Sequence, residues 1–126
     1  MPNPYRRLSK EDAIIADKIM EALYRWTAGQ KYRATYHSYD ALAQDLDVSR
    51  EQLSWFFSEV LGAKFLSFRK RQRLAYAAFL MLQDGSMPAS AAGQKAGIAD
   101  KSDFRRQFSE VFGMSPDSWR VSSGKN

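Results

Sequence analysis

Two sets of hydrogen-bonding side chains recur at helical spacing in this chain: Glu51, Ser54, Trp55 and Ser58, and further on Ser102, Arg105, Arg106 and Ser109. At 100° per residue each set falls on one side of a helix. Opposite the first set Leu53, Phe56, Phe57 and Val60 form an apolar stripe, and opposite the second Phe104, Phe108, Val111 and Phe112 do the same. The outer faces carry the chemistry of base readout. An α-helix fits the major groove of B-DNA, where arginine can pair with guanine through two hydrogen bonds, glutamate can accept from cytosine and serine suits several base edges. Trp55 could either pack within the protein or lie against thymine methyls and sugars. Glu51 repels phosphate, and so lowers general affinity unless it reads a base.

Catalytic and metal chemistry find no comparable grouping. His37 is the single histidine and lies in a polar stretch, which reads as a surface position. There is no cysteine, so disulfides and thiolate metal sites are excluded, and no paired carboxylates or glycine-rich phosphate loop stand out. The expectation is a protein that is not an enzyme and uses neither metal nor cofactor.

The two faces belong to an internal repeat. Phe57-Ser58-Glu59-Val60 returns 51 residues later as Phe108-Ser109-Glu110-Val111, followed by the pairs Gly62 and Gly113, Ser67 and Ser118, Arg69 and Arg120. Ser49–Arg69 laid over Asp100–Arg120 gives 7 identities in 21 ungapped positions. Chance gives about one, and a fixed offset marks a repeated structural unit.

The elements that position these faces follow from period and caps. Glu11 to Trp26 carries Ile14, Ile15, Ile19, Ala22, Leu23 and Trp26 near a helical period, with Ser9 at its start and Gly29 at its end. A short helix from about Tyr39 to Leu46 follows, with Ser38 as candidate cap. Ser49 and Gln52 fit a capping box that opens the next helix, which stops at Gly62. Two helices joined by a few residues make a helix-turn-helix. A long helix from about Lys64 to Gln83 carries Phe65, Phe68, Leu74, Ala77, Ala78 and Leu82, with five basic residues and no acid between Lys64 and Arg73. Pro88 begins a helix of small residues closed by Gly97, Asp100 caps the second copy up to Phe112, and a last helix spans about Ser115 to Val121.

The chain therefore reads as all-α: residues 1–62 form an N-terminal helix plus a first helix-turn-helix, 63–84 a connecting helix, 85–121 a second helix-turn-helix with a terminal helix, and 122–126 a tail. Buried positions are expected at Leu53, Phe56, Phe57, Val60, Phe68, Leu74, Phe104, Phe108, Val111 and Trp119. The connecting helix is about 30 Å long, close to the spacing of successive major-groove faces on B-DNA, so two reading heads could address adjacent groove segments without a symmetric site.

With 126 residues, 44% of them hydrophobic and 26% charged, the chain is suited to one domain or two very small ones. No apolar run approaches a membrane span or signal-peptide core, which points to the cytoplasm and away from membrane contact. The formal charge of +5 lies wholly beyond Val48: up to that point seven basic residues meet seven acidic ones, and after it twelve meet seven. That location favours a polyanion. Arg50, Arg69, Lys70, Arg71 and Arg73 are the candidates for phosphate contact.

The segment GIADKSDFRRQFSEVFGMSPDSWR resembles the signature of AraC/XylS-type bacterial transcription regulators, matched by Gly97, Phe104, Phe108, Gly113, Ser115, Pro116, Trp119 and Arg120. In the first half Leu42-Ala43, Val48-Ser49, Leu53, Phe57, Gly62, Arg73-Leu74 and Ala77 fit the same family, so the resemblance runs from about Glu11 to Arg120. It implies two homeodomain-like helix-turn-helix subdomains joined by a central helix, double-stranded DNA as partner, recognition helices at about 50–61 and 101–112 whose groove-reading positions are Glu51, Ser54, Trp55 and Ser58 in the first and Lys101, Ser102, Arg105 and Arg106 in the second, RNA polymerase as a second partner, and in many members a fused or separate sensor or dimerisation domain. Ile98 replaces the family's usual phenylalanine and Ala92-Gly93 its common Ile-Ala pair, which implies a thinner core in the second unit. The competing reading is a helical protein-interaction module, with Trp55 and the tyrosine-rich connection as its binding surface.

Overall fold

A computed structural model of the chain describes residues 8–34 and 39–123. Among these residues the protein is all-helical, with α1 (Lys10–Ala28), α2 (Tyr39–Asp45), α3 (Arg50–Trp55), α4 (Phe65–Gln83), α5 (Ala89–Lys95), α6 (Lys101–Phe112) and α7 (Pro116–Ser123). A 3-10 turn occupies Lys31–Arg33, and α3 continues into a π-helical stretch, Phe56–Leu61. Ser38 and His37 lie outside the described residues. Two compact units divide the chain: Met1–Lys31 with Thr35–Ser67, and Tyr32–Ala34 with Phe68–Asn126.

In the first unit the helix starts are chemically specified. Ser9 Oγ accepts from Asp12 N at 3.1 Å, and Ser49 and Gln52 complete their capping box at 3.0 and 3.2 Å, satisfying backbone donors that the first turn leaves free. Gly62 closes the π stretch at φ 64° and donates its N–H to Phe57 O. The core gathers round Phe65, whose ring meets Trp26 at 5.6 Å, Phe57 at 5.5 Å and Tyr39 at 6.3 Å, all edge to face. Ile14 is exposed, contrary to its place in the expected stripe. The buried line of α1 is Ala16, Ile19, Ala22, Leu23 and Trp26, and Ile14 stands five residues, about 140°, from Ile19.

The second unit buries Leu74, Ala77, Ala78, Met81, Ala92, Ala96, Ile98, Phe104 and Phe108. Its core is not thin at the Ala92-Gly93 step. The ring of Phe104 lies so close to Gly93 that a Cβ there would fall 2.7 Å from Phe104 Cγ, so the aromatic fills the space a larger pair would take. Phe108 stacks on Phe112 at 4.2 Å, and Trp119 closes on these two rings at 5.5 and 5.3 Å. This cluster draws the apolar stripe of α6 towards Phe112, and Val111, expected inside, is 43% exposed on the rim. Trp119, the outer member of the cluster, is only half-buried, and so is Phe68, which stands about 120° round α4 from Leu74. Leu82, in the last turn of α4, is exposed.

Both helix-turn-helix corners close with the same hydrogen bonds. Leu46 N, Asp47 N and Val48 N donate to the carbonyls of Leu42, Gln44 and Ala43, and Ala96 N, Gly97 N and Ile98 N donate to those of Ala92, Gln94 and Gly93. The offset is 50 residues here and 51 from the caps Ser49 and Asp100 onward, so the second corner is one residue longer. The repeat therefore includes α2 and α5, beyond the stretch visible as identities.

Candidate nucleic-acid interface

α6 is set by its cap and its aromatics. Asp100 Oδ1 accepts from Asp103 N at 2.8 Å, and the buried Phe104 and Phe108 fix which way the helix faces. Lys101, Ser102, Arg105 and Arg106 are thereby all exposed. Among the described residues Arg105 makes no hydrogen bond or ion pair, and with Lys101 it lines a concavity of about 310 Å³ shared with Ser90 and Asp117. Arg106 is differently placed. Its Nη2 donates to Asp103 Oδ1 at 3.2 Å and its Nη1 to Glu110 Oε1 at 3.4 Å. Glu110 also accepts from Lys70 Nζ of α4 at 3.0 Å. The hydrogen bond to Asp103, then the charge of Glu110, raises the Arg106 pKa above its ordinary value. The hydrogen bond from Lys70 and its charge hold the Glu110 carboxyl below its usual range.

The first face is less cationic and differently coiled. Glu51, Ser54 and Ser58 are exposed, and Trp55 is half-buried. Ser58 lies in the π-helical stretch and its Oγ donates to Trp55 O at 3.4 Å, which leaves the hydroxyl oxygen free to accept. The second copy, by contrast, is α-helical from Lys101 to Phe112.

The five phosphate candidates separate. Arg50 is exposed and sits 3.8 Å from Asp40, a loose pair. Arg71 is exposed, Arg69 is half-buried, and Lys70 is engaged by Glu110. Arg73 serves the fold: its Nε donates to Tyr32 O and its Nη2 to Ala34 O at 2.6 Å. Burial, then the neighbouring Arg69 charge, pushes its pKa down to about 10, so the guanidinium stays charged at neutral pH. Tyr32 is buried edge-on to Tyr76 at 6.1 Å, Arg33 lies over the Tyr76 ring at 5.1 Å, and Arg33 Nε donates to Lys95 O at the end of α5. The tyrosine-rich connection thus contributes a strap, Tyr32–Ala34, to the second unit.

Two arrangements were missed by spacing. Asp103, Glu110 and Lys70 form the ion-pair network around Arg106; the i−3 and i+4 positions of the two acids were a readable signal, but the pairing of Lys70 with Glu110, 40 residues apart, was not. Arg120 was a motif match without a role. Its Nη1 donates to Gly85 O at 3.1 Å and its Nη2 to Met87 O, so it pins the turn leading into α5.

These features define a pair of helix-turn-helix units, each with a polar outer face on its second helix. Residues 42–122 match the family described as a helix-turn-helix domain, and the chain belongs to that family, the AraC-type DNA-binding domains of transcription regulators, which is not an enzyme class. The chain is 35% identical over 81 residues to the arabinose operon regulatory proteins of Salmonella typhimurium strain LT2 and Escherichia coli strain K12. That stretch is 64% of this chain but only 28% and 27% of those proteins, so the chain spans little more than a quarter of their length. A solved structure of a protein of unknown function from Listeria innocua is similar with a TM-score of 0.67 at 25% identity, over 82% of this chain and 94% of that one. Among the described residues no helix is long and apolar enough to cross a membrane.

Proposed function

We propose that this chain binds double-stranded DNA sequence-specifically and thereby regulates bacterial transcription in the cytoplasm, with α3 and its π-helical continuation in one major-groove segment and α6 in an adjacent one. The observation that carries this reading is the outer face of α6, where Lys101, Ser102 and Arg105 stand exposed opposite the buried Phe104 and Phe108. Such a face on the second helix of a helix-turn-helix is suited to base edges. Glu51, Ser54, Trp55 and Ser58 supply the softer half of the readout. Arg50, Arg69 and Arg71 supply phosphate contacts, Lys70 is held back by its pairing with Glu110, and Arg73 supports the fold. RNA polymerase and a sensor or dimerisation domain complete the regulatory partnership; no cofactor takes part.

Selection of binding sites from a random duplex pool tests the reading. It is expected to return a motif with two unequal halves. A pool that shows no enrichment after repeated rounds sinks it.

A further inference from the structure

Glu110 occupies an odd position for a protein whose partner is a polyanion. Its two carboxylate oxygens take one cation each, Lys70 Nζ on Oε2 and Arg106 Nη1 on Oε1. Asp103 takes the other terminal nitrogen of Arg106. Arg106 is thus held between the acids three residues before it and four after it, along the helix surface rather than away from it. Arg105, one position earlier, is unheld among the described residues.

The repeat sharpens the point. Glu59 is the counterpart of Glu110, but the counterparts of Asp103 and Arg106 are Gln52 and Trp55, and among the described residues Glu59 forms no ion pair. The same Phe-Ser-Glu-Val sequence therefore leaves its glutamate idle in one unit and makes it the hub of a four-residue network in the other.

We propose that Glu110 is a specificity-setting residue: it sequesters Lys70 and Arg106 from indiscriminate phosphate contact, so that the second unit reads DNA mainly through Arg105. The inference rests on the DNA-binding reading. Its physical basis is that each cation given to a phosphate adds affinity for every sequence equally, whereas discrimination comes from base-edge contacts. A carboxylate on the DNA-facing helix lowers the first without touching the second. The pairs are exposed, with side-chain accessibilities of 34% for Lys70 and 59% for Arg106, so releasing them leaves the core untouched.

The test measures affinity for a selected site and for a random duplex of equal length over a range of KCl concentrations, with the wild-type chain, Glu110→Gln, Arg106→Ala and the double variant. Glu110→Gln is expected to bind random duplex about three- to tenfold more tightly, to steepen the salt slope by about one unit and to lower the ratio of specific to random affinity. In the Arg106→Ala background that fall in the ratio should shrink, because only Lys70 is left to release. Circular dichroism melts confirm that each variant is folded. Weaker binding by Glu110→Gln, or an unchanged slope and ratio, overturns the proposal and makes Glu110 a prop that aims Arg106 at a base. If the folded wild-type chain binds neither duplex at any salt concentration, the DNA-binding reading itself fails and this inference falls with it, a result readily told apart from the first.

Discussion

Asp47 and Gly97 hold the corresponding position in the two helix-turn-helix corners, both with positive φ, at 57° and 104°, and each donates its N–H to a carbonyl three residues earlier. The left-handed region costs most L-residues about 1–2 kcal/mol, but aspartate visits it more readily than most. The second corner has a further constraint. A Cβ on Gly97 would lie 2.6 Å from Arg33 O, in the strap that Arg73 holds down.

The two corners are therefore expected to answer substitution differently. Asp47→Gly should change unfolding free energy by less than about 1 kcal/mol, since relieved backbone strain offsets the added freedom of the unfolded chain. Gly97→Ala should cost about 2–4 kcal/mol, from the φ penalty together with displacement of the strap. Urea unfolding of both variants checks this. Equal costs would mean that the strap does not constrain the second corner.

What the sequence revealed and what it hid divide along one physical line. Caps, stripes and the repeat were legible because they are local: Ser9, Ser49 with Gln52, and Asp100 stand where the helices begin. Features made by distant residues were not. Arg73 read as one of a run of cations, and its attachment to Tyr32 and Ala34, about forty residues away, could not be seen in spacing. Val111 read as a core residue because a helical wheel does not know on which side Trp119 will pack. The π-helical turn after Trp55 also left no mark in a sequence so close to that of the α-helical second copy.

The basic run on α4 should separate into structural and phosphate-binding members. Arg73→Gln is expected to lower the melting temperature by several degrees, because it leaves the Tyr32 and Ala34 carbonyls without their donor. Arg71→Gln should leave the melt unchanged while reducing the salt slope of DNA binding by about one unit. Thermal melts and salt titrations of both variants are the measurements. A normal melt for Arg73→Gln would return that residue to the phosphate set.

The Glu110 network also has a pH signature. Its folded-state carboxyl is held below the ordinary range, chiefly by Lys70. The stability it contributes is thus present above the unfolded carboxyl pKa and is lost as pH falls through the lower, folded value. The difference in melting temperature between wild type and Glu110→Gln should be small at pH 7, as for other exposed pairs, and should shrink towards zero as acidification protonates the folded-state carboxyl. A difference that grows on acidification would show that the glutamine disturbs something other than charge.

The last expectation concerns the two adjacent arginines of α6, which the sequence presents as equals. Arg105 is unengaged among the described residues, whereas Arg106 must give up Asp103 and Glu110 before both its terminal nitrogens can address a base. A bidentate arginine–guanine contact discriminates by about 1–3 kcal/mol, or roughly five- to 150-fold in affinity. Arg105→Ala is therefore expected to flatten the preferred bases in one half of the selected site and to leave the other half intact. Arg106→Ala should keep the whole motif and lower affinity for every sequence by a similar factor, because it leaves the network around Glu110 one charge more negative. Site selection repeated with each variant decides the matter. If Arg106→Ala erases a guanine preference and Arg105→Ala does not, the acids around Arg106 aim it at the groove, and Arg105 is the one that contacts phosphate.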